Sequence, residues 1–152
     1  MIIELAQIKN RPEIERLDSH IPPSRLEECI HNGRVYILKD DSFKIGEKND
    51  LRKASVVGVM RYSFFWQTIP FLELLYVDEA YRGRGFGTKM METWEKTMAQ
   101  FGYKFVMTST QANEDAWRFY EKLGYRRAGG FFPPEQDVEE WMYVKKLSEG
   151  QC

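Results

Sequence analysis

Arg82-Gly83-Arg84-Gly85-Phe86-Gly87 places three glycines at alternate positions, with two guanidinium groups among them. Glycine takes backbone angles closed to other residues and lets main-chain N–H groups approach a ligand. Before this turn, Phe71, Leu72, Leu74, Leu75 and Val77 leave almost no polar face, the pattern of a strand covered on both sides. After it, Phe86, Met90, Trp94, Met98 and Phe101 recur at helical spacing. The helix N-terminus then faces the turn with unpaired N–H groups and the positive end of its dipole. Such an assembly suits a phosphate or pyrophosphate. Glu73 is the one charged residue of the apolar strand before Asp78. A carboxylate is costly to bury, so Glu73 is expected to be partnered, neutral or turned to a cleft. It reads either as a general base or as the ion-pair partner of Arg61 on a neighbouring strand.

Three kinds of glycine turn must be told apart. A P-loop needs Gly-Lys followed by Ser or Thr, and Gly87-Thr88-Lys89 has the wrong order. A dinucleotide fingerprint needs GxGxxG and an acid closing the next strand, whereas this turn is GxGxG and no acid lies near Phe105 to Thr110. The third pattern, Arg/Gln-x-x-Gly-x-Gly/Ala, is met by Arg82, Gly85 and Gly87. A second motif follows one strand later. Asn113, Ala116, Phe119, Tyr120, Gly124 and Tyr125 satisfy Asn-x-x-Ala-x-x-Phe-Tyr-x-x-x-Gly-Tyr/Phe. On these two motifs the chain from Val56 to Leu147 resembles the GCN5-related N-acetyltransferases; the N-terminal third fits by element order only.

The resemblance implies a co-substrate, acetyl-CoA. The backbone of Leu75, Tyr76 and Val77 would pair with its pantetheine arm. The N–H groups of Arg82, Gly83, Arg84, Gly85, Phe86, Gly87 and Thr88 would hold its pyrophosphate. Asn113, Phe119, Tyr120 and Lys122 would flank its other side. Direct transfer to an amine needs an unprotonated amine, a hydrogen-bond donor for the oxyanion and a proton for the departing thiolate. Glu73 is the candidate base and Tyr120, whose phenol ordinarily titrates near 10, the candidate acid. Phe64, Phe65, Trp66, Phe131, Phe132 and Trp141 could wall an acceptor pocket, with Glu135, Asp137, Glu139 and Glu140 adding charge suited to a cationic amine. The runner-up is an acyl-CoA-binding sensor or scaffold of the same fold without turnover.

Length and charge set the frame. A chain of 152 residues with formal charge −1 reads as one domain, residues 1–152, and not as a general nucleic-acid binder. No apolar run reaches membrane-spanning length, and Met1 to Arg11 has no signal-peptide layout, so no membrane partner is expected. Cys29 and Cys152 form no CxxC pair, which points away from a metal site and toward a reducing cytoplasm. Exposed aromatics near the last strands permit a homodimer. The expected fold is α/β, with a mixed, mostly antiparallel central sheet of about six to seven strands and helices on both faces. Ser24 and Asn113 are the expected caps of two helices, and Asp40 to Lys53 the expected hairpin loop.

Overall fold

The computed structural model describes residues 1–42 and 56–149. Most of the expected loop, from residue 43 to Lys53, lies outside the described residues. Among the described residues, seven strands form one mixed sheet. They are β1 (Ile2–Leu5), β2 (Val35–Lys39), β3 (Val56–Phe65), β4 (Ile69–Val77), β5 (Phe105–Gln111), β6 (Arg126–Phe131) and β7 (Glu140–Lys146). Their order is β1-β2-β3-β4-β5-β7-β6. The pairs β1–β2, β2–β3, β5–β7 and β6–β7 are antiparallel, and β4–β5 is parallel. The helices are α1 (Arg11–Leu17), α2 (Pro23–His31), α3 (Phe86–Gln100) and α4 (Ala116–Lys122). A parallel pair needs a crossover between its strands, and α3 is the crossover from β4 to β5.

The chain divides into two compact units, Met1–Tyr62 with Leu74–Thr93, and Ser63–Glu73 with Trp94–Cys152. In the first unit Ile14, Leu26, Ile37, Val56 and Val59 are wholly buried in one cluster, joined by Cys29 and Ile30. These are the apolar faces of α1, α2 and two strands, as their spacing requires. Two prolines open the helices. Pro23 is the first residue of α2, where a missing N–H costs nothing, so Pro22 rather than the expected Ser24 caps it. Gly33, at φ +68°, ends that helix. Arg61 donates from Nε to Asp18 Oδ2 at 2.9 Å, both side chains being buried.

In the second unit Leu72, Trp94, Met98, Val106, Met107, Tyr120, Tyr125, Tyr143 and Leu147 are the buried apolar residues among those described. The register runs from Phe105↔Lys146 to Gln111↔Glu140 along β5–β7, and from Arg126↔Val144 to Phe131↔Glu140 along β6–β7. Lys145 Nζ donates to Glu95 Oε1 at 2.5 Å, and Glu95 is buried. Asn113 is not a helix cap: α4 begins at Ala116 behind Asp115, because residues 112–114 are still turning off β5.

Candidate active site

The glycine turn belongs to the first unit. Asp78 accepts from the Ala80 N–H at 3.2 Å, capping a short 3-10 turn, Glu79–Tyr81. Gly83 and Gly85 follow at φ +73° and +81°. An added Cβ at either would meet no atom within 4 Å, so the backbone angle, and not crowding within the chain, demands glycine there. Gly87 is different: it is the second residue of α3. The helix closes its first bond from Lys89 N to Gly85 O at 3.1 Å. The earlier N–H groups of the turn and first helical residues are thus the ones a helix leaves orphaned. The two arginines do not simply project outward. Arg82 Nε donates to Val77 O at 2.7 Å and its guanidinium stacks over Tyr76, while Arg84 lies over Tyr81. Both remain exposed. Leu75, Tyr76, Val77, Phe86 and Thr88 are half-buried.

Sequence reasoning missed one support of this turn. Tyr81 donates its hydroxyl to Asp40 Oδ2 at 2.6 Å. Hydrogen bonds from Ser42 and then Tyr81 hold the Asp40 carboxyl down to about 2. The partners are distant in sequence, and nothing local in either segment signals the pairing.

The other candidate residues lie in the second unit. Glu73 is exposed on β4, so the covered strand expected around it is covered only in part. Its flanking residues alternate between buried Leu72 and half-buried Phe71 and Leu74. Tyr120 is buried, 7% exposed. Burial pushes its phenol up to about 12, a hydrogen bond with Thr108 works the other way, and the charge of Glu114 adds a smaller upward push. Thr108 also donates to the Leu72 carbonyl at 3.1 Å, one residue before Glu73. A phenol at about 12 stays protonated through the ordinary pH range, so the match to a thiolate expected from a value near 10 becomes weaker for full proton transfer. As a neutral hydrogen-bond donor Tyr120 is well kept. Phe119 stacks edge-on against Tyr120, at 5.3 Å between centroids. Asn113 and Lys122 are exposed at either end of the α4 region.

The six aromatics expected to wall one pocket are divided between two ends of the second unit. Phe71↔Met107 sets the start of β4, and the Phe65–Thr68 turn before it, at the Phe105 end of β5. Phe64, Phe65 and Trp66 therefore lie toward that end. Phe131 and Trp141 lie at the Gln111 end, six residues along β5, or about 20 Å. There the acids are organised. Ser109 Oγ donates to Glu140 Oε1 at 2.8 Å, Gln136 Nε2 to Glu140 Oε2 at 3.1 Å, and Gln111 Nε2 to Gln136 Oε1 at 3.3 Å. Arg127 stacks 4.0 Å from the Trp141 centroid and bonds Glu139. Among the described residues, no three His, Cys, Asp or Glu are grouped to hold a metal ion.

No curated protein is significantly similar to this chain. Solved structures are. An Ard1 from Thermoplasma volcanium matches at a TM-score of 0.80 and 16% identity, over 97% of this chain and 98% of its own. A subunit of the NatC complex, crystallised with Gag peptide and CoA, matches at 0.78 and 16%, over 97% and 98%. A GNAT-family acetyltransferase from Bacillus cereus matches at 0.72 and 21%, over 97% of each chain. At such identities they show a shared fold, that of GNAT-like acyl-CoA N-acyltransferases. The model of the acetyltransferase (GNAT) family matches residues 3–125, which contain both the glycine turn and the Asn113–Tyr125 motif, and the chain belongs to that family.

Proposed function

We propose that this family member catalyses acetyl transfer from acetyl-CoA to a primary amine, with Tyr120 donating to the leaving sulfur and Glu73 receiving the amine proton. The observation that carries the reading is the strand–turn–helix in which Gly83 and Gly85 hold left-handed angles immediately before α3. That backbone suits the pyrophosphate of coenzyme A, through the N–H groups from Arg82 to Thr88. By the family motif, Asn113, Phe119 and Lys122 are further candidates for contact with the cofactor.

The chemistry needs no covalent enzyme intermediate. The amine nitrogen attacks the thioester carbon, a backbone N–H serves the oxyanion, and the C–S bond breaks as the acetamide forms. Tyr120, neutral at working pH, gives the sulfur a hydrogen bond, and the exposed Glu73 carboxylate can take the amine proton directly or through water. The carboxylates around Glu140 favour a cationic acceptor. A cytoplasmic setting is the reading favoured by a chain with two cysteines and no CxxC pair, Cys29 being packed in the core. No helix is long and apolar enough to cross a membrane among the described residues.

The test is a thermal-shift comparison of acetyl-CoA, CoA, ATP and NAD. At about a hundred times its dissociation constant a ligand adds roughly 2.7 kcal/mol. Acetyl-CoA and CoA should raise Tm and the others should not. Gly85→Ala, forced to hold φ near +81°, should lose that shift. A wild-type protein unmoved by either coenzyme A species sinks the proposal.

A further inference from the structure

We propose that the Phe105 end of the second unit is a docking face for an anionic lipid surface. The face has three parts. Trp66 stands at the tip of the turn between β3 and β4 with 79% of its surface exposed. Phe101 and Phe105, on either side of the junction from α3 to β5, are 69% and 44% exposed. Phe64 meets Tyr103 at 5.5 Å and Phe65 meets Trp66 at 4.8 Å, which ties the turn to that junction through ring contacts.

The turn is shaped to display its tryptophan. Thr68 N bonds Phe65 O at 3.1 Å, closing a two-residue hairpin with Trp66 at φ +54° and Gln67 at φ +63°. Such turns favour Asn-Gly, because both central residues sit in the left-handed region. A bulky non-glycine residue there is strained, and strain of this kind concentrates where function requires a side chain to be held out.

Charge selects the occupant. Lys104, Lys146 and Arg126 are exposed at this end, the register placing Lys146 opposite Phe105 and Arg126 opposite Val144. The segments that build it, residues 63–72, 96–108, 122–127 and 143–148, contain no Asp or Glu; Glu149 follows two positions after Leu147. Exposed Trp and Phe beside Lys and Arg, with few acids nearby, is the chemistry of a protein resting in the headgroup layer. It is too greasy and too sparsely basic for nucleic acid, which wants a continuous cationic track under its stacking aromatics. No spanning segment is needed, so the expectation of no membrane partner, drawn from the absence of one, does not bear on such surface contact. Each cation close to an anionic surface strengthens binding roughly fivefold.

Sedimentation of the full chain with vesicles tests this. Equimolar phosphatidylcholine and phosphatidylglycerol at ~1 mM lipid should retain most of the protein at low salt, and phosphatidylcholine alone should retain little. Trp66→Ser, at an exposed site that leaves the core intact, should cut retention at least tenfold at unchanged Tm, and Lys104→Gln with Lys146→Gln should cut it comparably. Brominated lipid should quench tryptophan fluorescence in wild type and not in Trp66→Ser. Four results overturn the proposal: no retention on the anionic vesicles, equal retention on phosphatidylcholine alone, full retention of Trp66→Ser, or tighter capture by single-stranded RNA than by vesicles. Dispersal of a dimer by Trp66→Ser, without vesicle binding, would assign the face to a second copy instead.

Discussion

The two ends of the β5–β7 pair are built from the same kinds of residue and arranged to opposite purposes. At the Gln111 end the aromatics are tied down. Trp141 is packed between Arg127 and Trp117, and Glu140, Gln136, Gln111 and Ser109 hold one another by hydrogen bonds. Phe131 and Phe132 are exposed there, yet the surrounding charge is acidic, from Glu114 and Asp115 to Glu135 and Asp137. At the Phe105 end the aromatics are held outward and the charge is basic. Aromatic content alone therefore says little about role. What distinguishes the ends is whether the polar groups nearby have partners, and of which sign.

Next to the exposed cation of the Phe105 end lies the contact whose removal should cost most. Lys145 and Lys146 are neighbours on β7, but Lys145 reaches buried Glu95 while Lys146 is exposed. Burial first, and then the charge of Glu95, hold the Tyr125 phenol far above its ordinary value. Lys145→Met would strand the Glu95 carboxylate without its cation, at a cost of about 3 kcal/mol. Lys146→Met should shift stability by less than about 0.5 kcal/mol. Equal chemical-denaturation midpoints for the two variants would erase the distinction between a buried pair and a surface charge.

Tyr120→Phe is the next largest effect. Loss of a donor to the leaving group should lower kcat on the order of a hundredfold, with coenzyme A affinity little changed. An unaltered rate would remove Tyr120 from the chemistry. Its titration also sets a stability window. The fold raises the phenol from 10 to about 12, so it favours the neutral form. That contribution is complete below pH 10 and is lost as pH rises from 10 through about 12, where the unfolded chain ionises first. Phe at this position should flatten that part of the alkaline stability curve.

The sequence makes some of this legible and hides the rest for identifiable reasons. Gly83 and Gly85 are readable because only glycine accepts their angles cheaply, and the amphipathic period of Phe86 to Phe101 locates α3 beside them. The motif around Tyr120 is likewise local. The covering of β4 misleads because an apolar run does not say how far each face is covered. Asn113 misleads because a good capping residue can also sit in a turn, and the helix waits until Ala116. The partition of aromatics depends on register between strands far apart in the chain, which no window of sequence contains.

At the acidic end, Gln136 is the clamp of the loop after Phe131. It also donates to Val138 O at 2.7 Å, next to Glu135 at φ +62°. Gln136→Ala should loosen that loop and raise KM for a cationic amine severalfold, about 1 kcal/mol, while the coenzyme A constant stays put. A rise confined to coenzyme A would show that the clamp serves the other substrate.

The opposite end should answer substitution with a gain. Replacing Trp66-Gln67 by Asn-Gly supplies the residues a type I′ turn prefers, at the two positions where the present side chains sit at positive φ. The unfolded chain gains some freedom from the glycine, which offsets part of the benefit, so the net should be about 0.5–1 kcal/mol of added stability. Acetyl transfer to a soluble amine should be unchanged, since the turn lies about six residues of strand away from the acidic end. Vesicle retention should fall with the loss of the indole. A more stable protein with intact turnover and no lipid attachment would mean that the strained turn is kept for what Trp66 touches. A destabilised variant would mean instead that Trp66 packs against Phe65 as part of the fold, and that its exposure is incidental.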